Sequence, residues 1–272
     1  MSLAVAPEVE SPLLHPIHAL YATLGEVSLD EVQQRADLQN RVDTKFIATP
    51  DQMVEFIDSI HDHVDVLTIN NQRTFAYDSI YFDSSNYLTY RDHLQGRRRR
   101  FKVRTRTYVD TDYRVLEVKT KGLRGRTEKV RIDHEGPADV LDDTALNFIA
   151  ETLTNYGIRD AASLAATLRP ALRTSYRRTT IVGRYRPFRM TVDEELGCAD
   201  EAESVTTLHD RVLIETKTEG VRDPLISQLY HFNIRPVRMS KYCAGIGMLT
   251  DLPSPKWNPT IRQHLRPAAL AS

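Results

Sequence analysis

The period of apolar positions along the chain changes from helical to extended and back, and those changes predict its elements. Ser28 with Glu31 three residues on has capping-box spacing and predicts a helix running to about Asn40. Residues 41–49 alternate as a short strand. Thr49, Pro50 and Gln52 then fill the N-cap, N1 and N3 positions of a second helix, whose apolar face is Met53, Phe56, Ile57 and Ile60. From Arg73 the period falls to two. Runs at 74–84, 99–110, 113–122 and 126–134 read as four successive strands broken by turn residues. Helical spacing returns over about Ala138–Tyr156 and Ser163–Leu172. Strand patterns follow at 172–183, 187–196 and 210–220, and a further helix is expected over Pro224–Phe232.

Prolines mark both ends. Residues 1–27 read as an N-terminal arm, 28–252 as one α+β domain dominated by antiparallel strands, and 253–272 as a C-terminal tail. No internal repeat or low-complexity tract interrupts this arrangement.

Charge placement on the strands narrows the chemistry. Side chains two apart share a face of a strand. Lys102, Arg104 and Arg106 therefore point one way, as do Glu117 and Lys119, Lys129 and Arg131, Tyr176 and Arg178, Arg189 and Asp193, and Glu215 and Lys217. Phe101, Val103, Leu116, Val118, Val212 and Ile214 occupy the opposite faces. A single strand of this kind is a solvated sheet face. A cation-heavy face repeated over six or more strands, with acids recurring singly as Glu117, Asp193 and Glu215, is not the usual even mixture of signs. Closed with that face inward, the sheet would form a basic tunnel suited to a linear chain of phosphates. Arginine offers paired donors to phosphate oxygens and lysine a compact charge.

Composition bears this out and removes other classes. Thirty-six Lys and Arg against thirty-seven Asp and Glu give a net charge of −1, which argues against a general nucleic-acid binder. Yet residues 91–131 carry fifteen basic and five acidic side chains, while 1–40 and 133–160 are acidic. With 41% hydrophobic residues the chain has a real core, and no apolar run reaches the roughly 18 residues of a membrane-spanning helix. The N-terminus has no basic segment ahead of its apolar residues, so no signal peptide is expected. Cys198 and Cys243 stand 45 residues apart without companions and point to a reduced, cytoplasmic setting rather than to zinc. His61 and His63 read as a solvated helix end. The Arg97–Arg100 run reads as a charged turn or a tunnel mouth. The stripe Tyr77, Ser79, Tyr81 reads equally as wall or core.

The motifs RVDTKF (41–46), YDSIYFD (77–83), KVRTRTY (102–108), LEVKTKG (116–122), TEKVRI (127–132), YRRT (176–179), RMTVDEEL (189–196), VLIETK (212–217) and MSKYCAG (239–245), in this order, resemble the VTC domain. That is the polyphosphate polymerase domain of the vacuolar transporter chaperone complex and its bacterial relatives. The resemblance covers roughly residues 28–250. It implies the CYTH-like triphosphate tunnel fold, an eight-stranded antiparallel β-tunnel with helices packed outside. As catalytic phosphate-binding groups it implies Lys45, Arg104, Arg106, Lys119, Arg178 and Lys241. As substrate-binding groups it implies Lys129, Tyr176, Arg189, Arg238 and Ser240, with Arg238 standing where the family often has lysine, and Lys102, Arg131 and Lys217 join them by sharing their strand faces. Glu215 matches the acid expected to hold Mn²⁺ or Mg²⁺ on a triphosphate, although it could equally be a salt-bridge partner of Lys217. Glu117 and Asp193 read as further acids of this kind or as groups that only orient their cations.

Hydrolytic members of the superfamily begin with Glu-x-Glu-x-Lys, whereas the same spacing here is Arg41-x-Asp43-x-Lys45. Replacing one glutamate and shortening the other weakens a site for an activated water. The resemblance therefore implies transfer of a γ-phosphoryl group from ATP to inorganic polyphosphate. A tunnel triphosphatase and a non-catalytic polyphosphate or nucleotide sensor are the alternatives. No nucleic acid and no direct membrane insertion are expected, and a separate membrane-protein partner would be needed if product must cross a membrane.

Overall fold

The computed structural model describes residues 16–35, 42–121, 127–208, 210–220 and 223–265. Among the described residues the strands are β1 (Gly25–Val27), β2 (Val42–Ala48), β3 (Val64–Leu67), β4 (Thr74–Asp83), β5 (Phe101–Tyr108), β6 (Tyr113–Lys121), β7 (Thr127–Asp133), β8 (Arg169–Gly183), β9 (Arg189–Ala199), β10 (Ser204–Thr207) and β11 (Val212–Thr218). The α-helices are α1 (Pro16–Thr23), α2 (Leu29–Arg35), α3 (Pro50–Ser59), α4 (Leu88–Gln95), α5 (Asp143–Asn155), α6 (Ala161–Ala166), α7 (Pro224–His231), α8 (Lys241–Leu249) and α9 (Asn258–Thr260). None of the described helices is long and apolar enough to cross a membrane.

The strands form one sheet. Its main path is β2-β11-β9-β8-β4-β5-β6-β7, antiparallel at every step, with β1, β3 and β10 attached at its margins. The expected eight-stranded tunnel is thus an eight-strand path within an eleven-stranded sheet. Among the described residues β2 and β7 are not hydrogen-bonded to each other, so the path is open. Shifts of register in the β4–β8 pair at Tyr81/Phe82 and in the β8–β9 pair at Ser175/Arg177 mark bulges, which bend strands and increase twist. The curl brings distant strands together: Lys119 on β6 feels the charges of Lys45, Asp43 and Glu215 on β2 and β11.

Two apolar clusters cover the convex side. Phe46, Ala48, Met190, Val192 and Ile214 pack under Ile17, Tyr21, Met53, Phe56, Ile57, Leu225 and Leu229 of α1, α3 and α7. Phe101, Val103, Leu116 and Val118 pack under Ala145, Ile149 and Leu153 of α5 and Ala161 and Ala165 of α6. Each fully buried Val, Leu, Ile, Phe or Met among them contributes on the order of 1.5–3 kcal/mol. Helix α3 carries the expected capping box at Thr49 and Gln52, and Ser28 and Glu31 exchange the equivalent bonds at α2. The predicted extension of that helix to Asn40 lies outside the described residues.

Three expectations change. The helix expected to reach Leu172 ends at Ala166, because the residue before Pro170 is driven out of helical geometry and β8 already begins at Arg169. The stretch from 253, read as tail, is packed through Leu265, with Trp257, Ile261 and Leu265 buried. Within the N-terminal arm, Pro16–Thr23 is helix α1 and Gly25–Val27 is strand β1. Not every helix lies outside: α8 packs against the concave face, where Tyr242, Cys243 and Ile246 join Ile47, Leu172, Leu196, Cys198 and Leu213 in a third apolar cluster.

Candidate functional site

Cross-strand register assembles the cationic face in space. Lys45 stands opposite Glu215, Arg178 opposite Asp193, Tyr77 opposite Tyr176, Ser79 opposite Arg106, Tyr81 opposite Arg104, Arg104 opposite Glu117, and Lys119 opposite Lys129. The expected cations of the strands therefore come from seven strands of the main path onto one concave surface. Lys241 and Ser240 reach it from the start of α8.

Each acid on this surface is held by cations. Asp193 is fully buried and accepts two hydrogen bonds from Arg178, at 2.5 and 2.9 Å, and a further ion pair from Lys241. Burial pushes its pKa up, but Arg178 and Lys241 outweigh that and hold it down at about 2. Glu117, 1% exposed, accepts from Arg104 at 2.7 Å and from Lys129 at 3.0 Å. Burial opposes its ionisation, yet Arg104, Arg106 and Lys129 keep its pKa well below the usual carboxylate range. Glu215 lies 2.5 Å from Lys45. Against burial, Lys45, Lys217 and Arg178 likewise hold it far down. Glu117 and Asp193 are thus partners that orient cations, and the salt bridge of Glu215 goes to Lys45.

Aromatic rings carry much of the remaining charge. Arg106 donates to Tyr176 Oη at 2.9 Å, and Arg106 and Arg178 both lie 5.3 Å from the Tyr77 ring centroid. Lys241 Nζ sits 4.2 Å over Tyr176, which stacks on Tyr77 at 5.4 Å. Burial would raise the Tyr176 pKa, but Arg106, Arg178 and Lys241 pull it below the ordinary value. Arg104 donates to Tyr81 Oη at 3.0 Å. The Tyr77, Ser79, Tyr81 stripe, open to two readings from sequence, fits both: it meets Arg104 and Arg106 on the concave face, while Tyr81 is buried in the apolar cluster under α8 and Tyr77 packs against it.

Lys102 donates to Ser240 Oγ at 2.8 Å, and burial lowers its pKa. Lys119 is accessible to water yet ringed by protein. Desolvation drives its ammonium down to about 8, with Lys45 adding to the effect and Glu215 opposing it. Lys129 and Arg131 stand on the edge strand β7 and are more exposed, Arg131 facing Glu117 in register. Arg189 and Lys217 pair in register at the end of β9 and β11. Arg238 is exposed and lines a cavity of about 340 Å³ with Lys45 and Ser240. Arg100, Lys256, His93 and Trp257 also line it and were not picked out from the sequence as binding residues. Arg100 carried a signal as the last of the Arg97–Arg100 run, whereas Lys256 and Trp257 fell within the stretch read as tail. Arg41 of the altered first-strand motif lies outside the described residues.

Among the described residues no group of three or more His, Cys, Asp or Glu side chains is placed to hold a metal ion. Asp43 on β2 and Asp193 on β9 each stand diagonal to Glu215 across a neighbouring strand, and Asp193 is taken up by Arg178 and Lys241. This donor set fits Mn²⁺ or Mg²⁺ as an ion shared between one or two carboxylates and phosphate oxygens of a substrate, a mode such hard cations favour.

The VTC domain family model matches residues 40–250. Among curated proteins none matches the chain. Solved structures of similar architecture include a proposed adenylate cyclase from Vibrio parahaemolyticus, 13% identical over 74% of this chain and 95% of that one, with a TM-score of 0.43. A second proposed adenylate cyclase, from Bacillus halodurans, is 13% identical over 78% of this chain and 100% of that one, with a TM-score of 0.45. A third, from Hippeastrum, is described as having a dominant triphosphatase activity and is 14% identical over 79% of this chain and 99% of that one, with a TM-score of 0.44.

Proposed function

The chain belongs to the VTC domain family, and from that premise we propose that it is an ATP-dependent polyphosphate polymerase, whose concave face acts as the tunnel in which a chain of phosphates is held and extended. The observation that carries this reading is the imbalance on that face. Glu117, Asp193 and Glu215 are each engaged by cations, and Lys102, Arg106, Lys119 and Arg131 add positive charge beyond those pairs. A linear polyanion is the ligand that neutralises such a surface.

Phosphoryl transfer needs positioning and charge stabilisation more than covalent chemistry from a protein. Arg104, Arg106, Lys119, Arg178 and Lys241 orient the triphosphate and the acceptor chain, with Lys102, Lys129, Arg131, Tyr176, Arg189, Lys217, Arg238 and Ser240 holding the flanking phosphates. Lys45, already drawn to Glu215, serves both the carboxylate and a phosphate oxygen. Glu215, with Asp43 near it, is the group that would hold Mn²⁺ or Mg²⁺, and the ion supplies neutralisation of charge between phosphate oxygens when bound. The acceptor is an anionic phosphate oxygen and needs no general base. A water nucleophile would, and Asp43-x-Lys45 offers no pair of glutamates to position one. On this reading the partners are ATP and inorganic polyphosphate, with a separate membrane protein only if product is exported.

Incubation of the protein with ATP and Mn²⁺ or Mg²⁺, resolved on a polyphosphate gel, tests the reading. A ladder of lengthening chains is expected, reduced by about 10²-fold or more in Lys45→Ala and Arg104→Ala, the scale on which single charge-stabilising groups act. Orthophosphate without a ladder would replace the polymerase with a triphosphatase. Tight polyphosphate binding without turnover would leave a sensor.

A further inference from the structure

The cavity of about 340 Å³ beside the concave face has a composition that the tunnel site does not require. Among its described lining residues Asp43 is the one carboxylate, against Lys45, Arg100, Arg238 and Lys256. Arg100 donates to the Arg97 carbonyl at 2.7 Å and Lys256 to the His93 carbonyl at 3.0 Å. These bonds fix both side chains while using one donor of the five that arginine has and of the three that lysine has. We propose that this cavity is a second phosphate subsite, in which Arg100 and Lys256 take phosphates of a linear polyphosphate chain beyond those bound on the concave face, with Lys45, Arg238 and Ser240 lining both. The inference rests on the polyphosphate reading above and adds to it a site partly built from residues past 250, outside the family match.

Like-charge crowding points to an anion here. Burial lowers the Lys256 pKa, and Arg100, Arg238 and Lys102 lower it further. Burial, then Lys102, Arg100 and Lys256, push His93 down to about 2, so it stays a neutral imidazole among cations. An anion seated among these groups relieves the mutual repulsion that otherwise opposes their charging. The cavity is a poor fit for a nucleobase, because its aromatic residue has no open face. Trp257 is 4% exposed, packs against Tyr90 at 5.7 Å and is covered by Lys256 at 5.6 Å from its centroid. Phosphate is the part of a nucleotide or polyphosphate chain that this lining recognises.

The test compares binding of long-chain polyphosphate and tripolyphosphate by titration calorimetry, using the whole chain and the Arg100→Gln/Lys256→Gln variant. The wild type should bind the long chain more tightly than tripolyphosphate. The variant should lose about tenfold or more in affinity for the long chain, as expected when charge-assisted bonds are removed. Its affinity for tripolyphosphate should change by less than about twofold, since separated sites act nearly independently. Retained tripolyphosphate binding also reports that the variant is folded. Equal losses for both ligands, no loss for either, or no preference of the wild type for long chains would overturn the subsite. Tighter wild-type binding of a single-stranded oligonucleotide than of polyphosphate would overturn it as well. Failure of the wild type to bind either phosphate ligand would remove the polyphosphate reading itself, an outcome distinct from loss of the subsite alone.

Discussion

Along the concave face of the sheet, one step of two residues separates charge from core. On β11 the inward positions run Lys217, Glu215, Leu213, and on β2 they run Asp43, Lys45, Ile47. Leu213 and Ile47 lie in the apolar cluster under α8, together with Leu172, Leu196 and Cys198, while the positions beside them on the same strands are charged. The two regions share strands, register and curvature. They differ in what completes them. The apolar end is closed by this chain's own helix, and at Gly245 an added methyl would lie 2.6 Å from Leu172, so the fit is tight. At the charged end Glu117, Asp193 and Glu215 are each engaged by cations, and the ligand proposed above is what would neutralise the positive charge that remains. One end of the face is built for stability and the other retains a charge imbalance that stability alone would not favour.

Breaking the charge balance should have the largest effect. Asp193→Ala leaves Arg178 and Lys241 buried together without their counter-charge, and is expected to cost about 3–5 kcal/mol in urea unfolding. Tripolyphosphate should restore part of that loss, because it can replace the missing negative charge. An unchanged unfolding midpoint would show that the carboxylate does not hold this end together. At the apolar end, Leu172→Ala should cost roughly 2–4 kcal/mol through the cavity it leaves, with no recovery on adding tripolyphosphate. Ligand rescue of both variants, or of neither, would erase the distinction between the two regions.

The smallest effect sharpens the charged end alone. Lys119 has its pKa lowered to about 8 in the ligand-free protein, and a bound phosphate favours the ammonium and raises it. Affinity should therefore be full below about pH 8 and decline as pH rises through it, by at most about tenfold per pH unit for one proton. Lys119→Arg keeps its charge and should flatten that decline relative to the wild type, a comparison in which titration of the ligand itself cancels. Identical pH profiles would remove Lys119 from the site.

Much of this arrangement was written in local sequence signals. The alternation at 102–106, 117–119, 189–193 and 215–217 placed the cations and acids on common faces, and Thr49 with Gln52 marked the start of α3. What stayed hidden depends on contacts between distant residues. Helix α4 follows a left-handed Tyr87 with no side-chain cap of its own; its first N–H, on Leu88, donates to Ser84 Oγ and the next two, on Thr89 and Tyr90, donate to Asp83 at the end of β4. The covering of the concave face by α8 depends on the β8–β9 bulge, where Glu195 adopts a φ of 54° and the following residues change face, bringing Leu196 and Cys198 to the concave side. No periodicity announces a bulge. Which cation each acid would choose was also illegible, since Glu117 takes Lys129 diagonally although Arg131 stands opposite it in register. The cavity lined by Arg100 and Lys256 joins segments more than 150 residues apart in sequence.

The most direct test of the central claim follows the γ-phosphoryl group itself. ATP labelled at the γ-phosphorus is incubated with the protein, Mn²⁺ or Mg²⁺, and unlabelled short-chain polyphosphate. The concave face described here predicts label at the ends of lengthened chains, with Arg104→Ala abolishing its incorporation. Label recovered solely as orthophosphate, at a rate indifferent to added polyphosphate, would contradict it.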